Sequence, residues 1–377
     1  MEATDSRSAI LAAIVAAGQA TLAGLAGWTR LGLEDVSDTT DALVSDGLIT
    51  RSGDLFAIEA GLVCGIDLGG SNCRILVADL LGNPVQISHD QTPVSIGAAA
   101  LADWLAARIA ALTATSSAAG TAGGRLRAVV VGLPGMVAAD GATISGAPNV
   151  PQIEGEEFAR QLTLAIPAPV ALYNDADLAL LGELRFGAGR GLTNAVMFTI
   201  GAGLGSGVIL DGVLLRGRHG LTGEFGFLPI GPSGETVEDL LSGVGLLRQA
   251  RALRAQVRDA ADLFAADAPD LLEPVLERFD RALVLALTAA TVAYDPAAII
   301  VGGGLSPAVA RRLDLTSRRL AELLPSPPPG LRLASLGDLS GTLGALTVAY
   351  QTAYHALGIT ESDAAGLPPT AALSRLF

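Results

Sequence analysis

Lysine is absent from this chain: all 24 basic residues among its 377 are arginine. Histidine (3), cysteine (2) and methionine (3) are almost missing, and aromatic residues make up only 4%. Each scarcity excludes something. With 38 acidic residues the net charge is −14, which disfavours non-specific attraction to nucleic acid or to an anionic membrane. The two cysteines, Cys64 and Cys73, fall in one predicted hairpin, so neither a disulfide framework nor metal-ligand spacing is indicated. No run approaches the roughly 18–20 uninterrupted apolar residues of a membrane span. The opening MEATDSRSAILAAIVAAG has no basic n-region followed by an apolar stretch and a cleavage site, so a soluble cytoplasmic setting is expected. What is abundant is core-forming material, with 50% hydrophobic and 16% charged residues, the balance of a well-buried globular protein.

Residues 1–60 read as a separate module. RSAILAAIVAAG, TLAGLAGWTRLGL and EDVSDTTDALVSDGLI carry helical apolar spacing, and ITRSGDLFAIEAG reads as a short hairpin turning at Ser52-Gly53-Asp54. Three helices followed by a wing outline a winged helix-turn-helix. From residue 61 the pattern changes to α/β, which we divide into a first lobe, 61–172, and a second, 173–377, whose last helix is expected to pack back on the first.

Each lobe opens with a strand, a glycine turn and a second strand: GIDLGGSNCRILVADLLGN and FTIGAGLGSGVILDG. A third glycine cluster ends a strand at IIVGGGL. Alone, either hairpin is an ordinary glycine-rich turn. Together with the Gly-Gly-Gly they favour phosphate-binding backbone, because amides approach anionic oxygens only where no Cβ intervenes.

The order GIDLGGSNCR, VVGLPGMV, GAPNV, YNDADLALLGE, TIGAGLGSGVILDG, GLTGEFGF, IIVGGGLS resembles the ROK family of repressors, open reading frames and kinases, within the actin-like ATPase superfamily. The resemblance covers nearly the whole chain. It implies a two-lobed actin-like ATPase fold preceded by a winged-helix domain, and it implies ATP with Mg²⁺ as cofactors. By position in these motifs, Asp67 would hold the magnesium, directly or through water. Gly69, Gly70 and Ser71 would form the first phosphate turn, and Gly201, Ala202, Gly203 and Gly205 the second. Gly302, Gly303 and Gly304 would lie against the adenosine. Asn149, Asn174, Glu224 and Glu238 would bind substrate, and Asp175 would be the catalytic base. A positioned carboxylate that takes the sugar hydroxyl's proton is typically worth about 10²–10⁴-fold. Asp175 following a strand would also suit a helix N-cap. The family resemblance further suggests a homodimer or homotetramer.

Three departures qualify the resemblance. Members of the family usually carry a histidine where this chain has Phe227, followed by a cysteine-rich zinc loop; here the loop shrinks to GPSGET, so no zinc is expected. Packing by Phe227, Leu228, Pro229 and Pro232 is expected to replace it, and Glu238 keeps its place. Ala202 replaces a threonine, a loss of about 1.5–3 kcal/mol if that hydroxyl bonded a charged phosphate. Asn72 stands where a basic residue is common. Without the histidine, a modified hexose or a cyclitol becomes a plausible substrate.

The first 60 residues contain nine acids (Glu2, Asp5, Glu34, Asp35, Asp38, Asp41, Asp46, Asp54, Glu59) against Arg7, Arg30 and Arg51, a net charge of −6. Such a module repels a duplex, so DNA is not an expected partner. The expected function is ATP-dependent phosphorylation of a sugar or cyclitol hydroxyl. The alternatives are a sugar-responsive transcriptional regulator with little or no kinase activity and a catalytically dead sugar-binding protein.

Overall fold

The structure, a computed structural model, describes residues 3–118, 124–231 and 234–377. Its contacts divide the chain into two compact units: unit 1 comprises Met1–Pro134, Ala142–Leu172 and Ala345–Phe377, and unit 2 comprises Gly135–Gly141 and Tyr173–Gly344.

Unit 1 begins with α1 (Ala3–Ala17), β1 (Gln19–Thr21), α2 (Leu22–Thr29), α3 (Leu33–Ser45), β2 (Ile49–Ser52) and β3 (Leu55–Ile58), the strands forming a sheet ordered β1-β3-β2. The Thr21 hydroxyl caps α2 by accepting from Gly24 N at 3.2 Å. Glu34 and Asp35 occupy the first turn of α3, where the helix dipole favours negative charge. β4 (Gly61–Leu68), β5 (Asn72–Asp79) and β6 (Pro84–Gln91) follow, then α4 (Ala98–Ala118) and β7 (Arg125–Leu133). Next come the short strands β8 (Met136–Val137) and β9 (Ile144–Ser145), helix α5 (Glu157–Ala165) and β10 (Val170–Asn174). The main sheet runs β10-β7-β4-β5-β6. β4 pairs antiparallel with β5 and parallel with β7, so it is central and covered on both faces. That is why GLVCGIDL is an almost continuous apolar run. Cys64 and Cys73 are both buried and free.

Unit 2 carries α6 (Asp175–Phe186), β11 (Ala195–Ile200), β12 (Leu204–Leu210), β13 (Val213–Leu214), α7 (Val237–Leu241), α8 (Gly243–Ala252), α9 (Glu273–Tyr294), β14 (Ala298–Gly302), α10 (Ser306–Val309), α11 (Leu313–Leu323) and β15 (Gly330–Leu333). Its sheet runs β13-β12-β11-β14-β15, with β11 antiparallel to β12 and parallel to β14. Phe198, Phe225, Phe279 and the aliphatic face of α9 form the core beside it, each such side chain contributing roughly 1.5–3 kcal/mol by burial. The fully buried Glu183 carboxylate accepts from the amides of Ala188, Ser335 and Leu336 and from the Ser340 hydroxyl, at 2.7–3.1 Å. Those bonds keep an interior anion tolerable.

Helix α12 (Ser340–Ala356) crosses α6 at glycine contacts: a Cβ on Gly182 would stand 2.1 Å from Ser340 O. In unit 1 the Tyr350 and Tyr354 hydroxyls donate to Asp79 O and Leu80 O at 2.9 and 2.6 Å. The short α13 (Glu361–Ala364) meets α1, where buried Ser8 donates to Asp363 and accepts from Thr360 N at 2.8 Å. Among the described residues, no helix is long and apolar enough to cross a membrane.

Candidate active site

In unit 1, the chain leaves β4 at Leu68 and turns through Gly69, Gly70 and Ser71 into β5. Gly69 N donates to Asn72 O at 2.9 Å, the Thr92 hydroxyl donates to Gly69 O at 2.8 Å, and Thr92 N donates to Ser71 O at 3.0 Å. These bonds leave Ser71 exposed and Asp67 half-buried at the strand's end. A Cβ on Gly70 would stand 2.9 Å from Asn149 Cβ, so Gly70 and the exposed Asn149 are neighbours. Asp67, the turn and Asn149 thus belong to one unit.

In unit 2, β10 leads directly into α6. Buried Asn174 caps the helix: its Oδ1 accepts from Ala176 N at 2.8 Å and Asp177 N at 3.2 Å, and its Nδ2 donates to Gly135 O at 2.9 Å. The N-cap residue is Asn174 rather than Asp175, although Asp175 Oδ1 also accepts from Ala176 N at 2.8 Å. Both lone-pair directions of the Asn174 oxygen are occupied, so a structural role suits it better than a substrate contact. Asp175 is half-buried in the first turn of α6. Its Oδ1 lies 4.0 Å from where a Cβ on Gly205 would stand, and Thr199 Oγ1 lies 2.6 Å from that same point.

The second glycine turn connects β11 to β12. Gly201 N donates to Gly203 O at 3.0 Å, while Gly243 N and Val244 N, at the start of α8, donate to Gly201 O and Ala202 O at 2.8 and 3.2 Å. Glu238 on α7 accepts from Leu204 N at 3.3 Å, and its Oε1 lies 3.1 Å from the place of a Cβ on Gly203. Glu224 follows Gly223, whose carbonyl accepts from the buried Ser206 hydroxyl. Phe225, the next residue, stacks into the core 5.2 Å from Phe198. Burial, reinforced by the like charge of Glu238, pushes the Glu224 carboxyl up to about 7. Asp177 also rises to about 7: burial is the largest cause, Arg216 opposes it, and Glu224 and Asp175 add to it. Neither Asp177 nor Arg216 was singled out in the sequence; the signal for Asp177 was a second acid two residues past Asp175 in the first turn of α6.

The three glycines of residues 302–304 have different settings. Gly302 closes β14 among buried side chains, its missing Cβ space bounded by Met197 and Ala334; Gly303 has φ +84° and abuts the Ile200 backbone. A Cβ on Gly304 would meet nothing within 4 Å, and one on Gly201 only Gly304 N at 3.9 Å. That open, backbone-lined space fits anionic or flat ligand groups. Among the described residues no cluster of three or more His, Cys, Asp or Glu is arranged to hold a metal ion. Asp67, half-buried at the end of β4, could hold only a cation that takes most of its ligands from phosphates and water.

The segment standing where a zinc loop would be is a short hairpin. Pro229 bridges Thr236, Ile230 N donates to Glu235 O at 2.7 Å, and Val237 N donates to Leu228 O at 2.9 Å. Arg278 on α9 pairs with Glu235, and a Thr236–Asp239 capping box starts α7. Leu228 and Ile230 pack against the core. Phe227, expected to pack here, is instead 57% exposed, because backbone pairing and the Arg278 tie hold the segment without it. Pro232 lies outside the described residues.

A family model for the ROK family matches residues 63–352. The chain belongs to the ROK family. A glucokinase of Streptomyces coelicolor is 29% identical over 320 residues, covering 77% of this chain and 98% of the relative. The N-acetylgalactosamine kinase AgaK of Shewanella sp. is 30% identical over 305 residues, 74% of this chain and 94% of its own. Among solved structures, the ROK glucokinase of Streptomyces griseus in complex with glucose and AMPPNP superposes with a TM-score of 0.63 at 29% identity, covering 77% of this chain and 100% of that one. A ROK transcriptional regulator, a homologue of E. coli MLC, superposes with a TM-score of 0.74 at 20% identity, covering 95% and 99%. This ROK chain therefore has the actin-like ATPase fold, and its relatives support a sugar kinase that uses ATP.

Proposed function

We propose that this ROK protein transfers the γ-phosphoryl group of ATP, with Mg²⁺, to a hydroxyl of a sugar or sugar-like cyclitol, with Asp175 as the base. The observation that carries the reading is the grouping in unit 2: Asp175, in the first turn of α6 with its Oδ1 accepting from Ala176 N at 2.8 Å, sits beside the Gly205 backbone. Asp175 takes the proton of the attacking hydroxyl. Glu224 and Glu238, with Asn149 of unit 1, orient the substrate's other hydroxyls. Gly201, Ala202, Gly203, Gly205 and Gly304 receive the nucleotide against bare backbone, with Gly69, Gly70 and Ser71 as the first phosphate turn. Asp67 would hold the magnesium, which neutralises phosphate charge when bound. Alignment and charge neutralisation supply most of the acceleration in such transfers.

Losing the family histidine at Phe227 removes one polar group from the substrate side. We read this as favouring a substrate with a less polar substituent there, such as an N-acetylated hexose or a cyclitol. We also read residues 1–60 as a winged helix that does not bind DNA: the exposed face of α3 carries Glu34, Asp35, Asp38 and Asp41. The regulator superposition covers 95% of the chain and favours a second reading, a sugar-responsive regulator. We expect the protein to work as a homodimer or homotetramer.

The experiment is ADP release with Mg-ATP and a panel of glucose, N-acetylgalactosamine, N-acetylmannosamine and inositols, with Asp175→Asn as the blank. Turnover with one sugar, lost in the variant, supports the kinase. Thermal stabilisation by a sugar without turnover moves the assignment to the regulator.

A further inference from the structure

Helix α9 is half-submerged in unit 2. Ala282, Leu283, Ala286, Leu287 and Ala290 are fully buried, so that face is spent on the protein's own core. The opposite face is uncovered. Leu285 is 39% exposed and Val292, two turns on, 74% exposed, with half-buried Thr288 between them. Continued outward, the same line reaches Arg281, whose side chain is 74% exposed, and exposed Asp295 at the C-cap. Arg281, Leu285, Thr288, Val292 and Asp295 are spaced 4, 3, 4 and 3 residues apart, the spacing of a coiled-coil seam. The first four lie within a strip about 60° wide, and Asp295 ends it about 21 Å from Arg281. Neither end is well matched within the chain. Asp295 sits at the negative end of the helix dipole, and the last turn of α9 has no basic residue to offset it. Arg281 pairs with Glu277 at 3.7 Å, an exposed contact of the kind worth little.

The line is complementary to its own reverse. Turned end for end, its arginine faces its aspartate, its leucine faces its valine, and its threonine faces itself. We propose that α9 is the contact between two copies of this chain, packed antiparallel across a two-fold axis at Thr288. Arg281 of each copy then lies against the partner's Asp295, and Leu285 against the partner's Val292. One patch meeting itself is the isologous contact of a two-fold dimer, in which every such pairing is made twice. Any other partner would have to reproduce this order of charge and apolar side chain; a second copy does so by symmetry. Ala289 and Ala293 run alongside and are small enough for helix axes about 8–10 Å apart. The surface does not rest on the kinase reading. It assigns one face to the expected homodimer, so a dimer through another face would overturn it and leave that expectation standing.

The test is the solution mass of the full-length chain by analytical ultracentrifugation, for wild type, Val292→Glu, Arg281→Glu, Asp295→Arg and the double charge exchange. The replaced side chains are exposed, so each variant should unfold at nearly the wild-type temperature. Asp295 has φ +44°, and Arg30 and Arg254 hold similar angles in this chain, so arginine is tolerated there. Wild type should be a dimer, or a tetramer built from it, at micromolar concentration, and Val292→Glu should halve its mass. Arg281→Glu sets like charges together twice and should raise the dissociation constant by about tenfold or more. Asp295→Arg should do the same, and the double exchange should recover most of the loss. Thr288→Cys adds a direct readout. With axes that close, facing Cα atoms come within disulfide reach, and oxidation by copper phenanthroline should trap a covalent dimer, since Cys64 and Cys73 are buried. A monomeric wild type overturns the inference. So does a dimer that Val292→Glu leaves intact, or a double exchange that recovers nothing. If Val292→Glu does not fold, a missing Thr288→Cys cross-link overturns the inference.

Discussion

The two units repeat one sheet order, yet they surround their glycine turns differently. β6-β5-β4-β7-β10 in unit 1 corresponds to β13-β12-β11-β14-β15 in unit 2, each with one antiparallel and one parallel neighbour on the strand before the turn. In unit 1 the turn is closed by backbone and by Thr92, with Asp67 half-buried at the end of β4. In unit 2 the turn is backed by α8 and neighboured by Asp175, Asp177, Glu224 and Glu238. A shared topology fixes where a turn can sit; the side chains brought around it differ, and under the proposed function that difference separates cation binding from proton transfer.

The largest effect expected from breaking this difference is at the two acids. Asp175→Asn should lower kcat about 10²–10⁴-fold with sugar affinity nearly unchanged. Asp67→Asn should act mainly through Mg-ATP, visible as a Mg²⁺-dependent KM; steady-state kinetics on both variants separates the roles. Equal effects on the same constant would erase the distinction.

Second in size is the buried anion that belongs to unit 2 alone. Glu183→Ala strands five donors, the Ser335 hydroxyl included, and should cost about 3–5 kcal/mol, measured by urea unfolding. A loss below about 1 kcal/mol would show that Glu183 is not what ties α6 to residues 335–340.

Smaller still is Ala202→Thr. Added to the second turn, its hydroxyl should raise kcat/KM for ATP by about tenfold if it reaches a phosphate. The same assay on Ser71→Ala reports the first turn, and the relative sizes say which turn holds the transferred phosphate.

The smallest effect is expected in the hairpin. Arg278→Ala should reduce stability by about 1 kcal/mol, a few degrees in melting temperature. Dialysis against a chelator followed by Mg²⁺ alone should restore full turnover, and a requirement for added zinc would contradict the hairpin's role.

Much of this was legible in the sequence because the motifs are local. GIDLGGS and TIGAGLG declare strand–turn–strand units through residue type alone, and ND at the end of a strand marks a helix start. Asp175, Glu224 and Glu238 were candidates from motif order alone, and the structure places all three in unit 2. What stayed hidden depends on contacts between distant segments. Asp177 gains its character from Gly207 and Arg216, and Glu183 from residues near 335. Phe227 points outward because the flanking backbone pairs, which no single-residue preference encodes. Strands β1, β6 and β15 were also missed: β6 and β15 flank their sheets, and none of the three has the apolar run of a central strand.

The contact between Ser8 and Asp363 joins residues 355 apart in the chain. On a ribosome adding about 5–20 residues per second, Ser8 of α1 waits on the order of 20–70 s for the residues it bonds. Until then Ser8, fully buried in the finished protein, has neither Thr360 nor Asp363 to bond. α1 packs on α2, α3 and β3 as soon as these emerge, but the polar tie at Ser8 is among the last contacts in the chain to form.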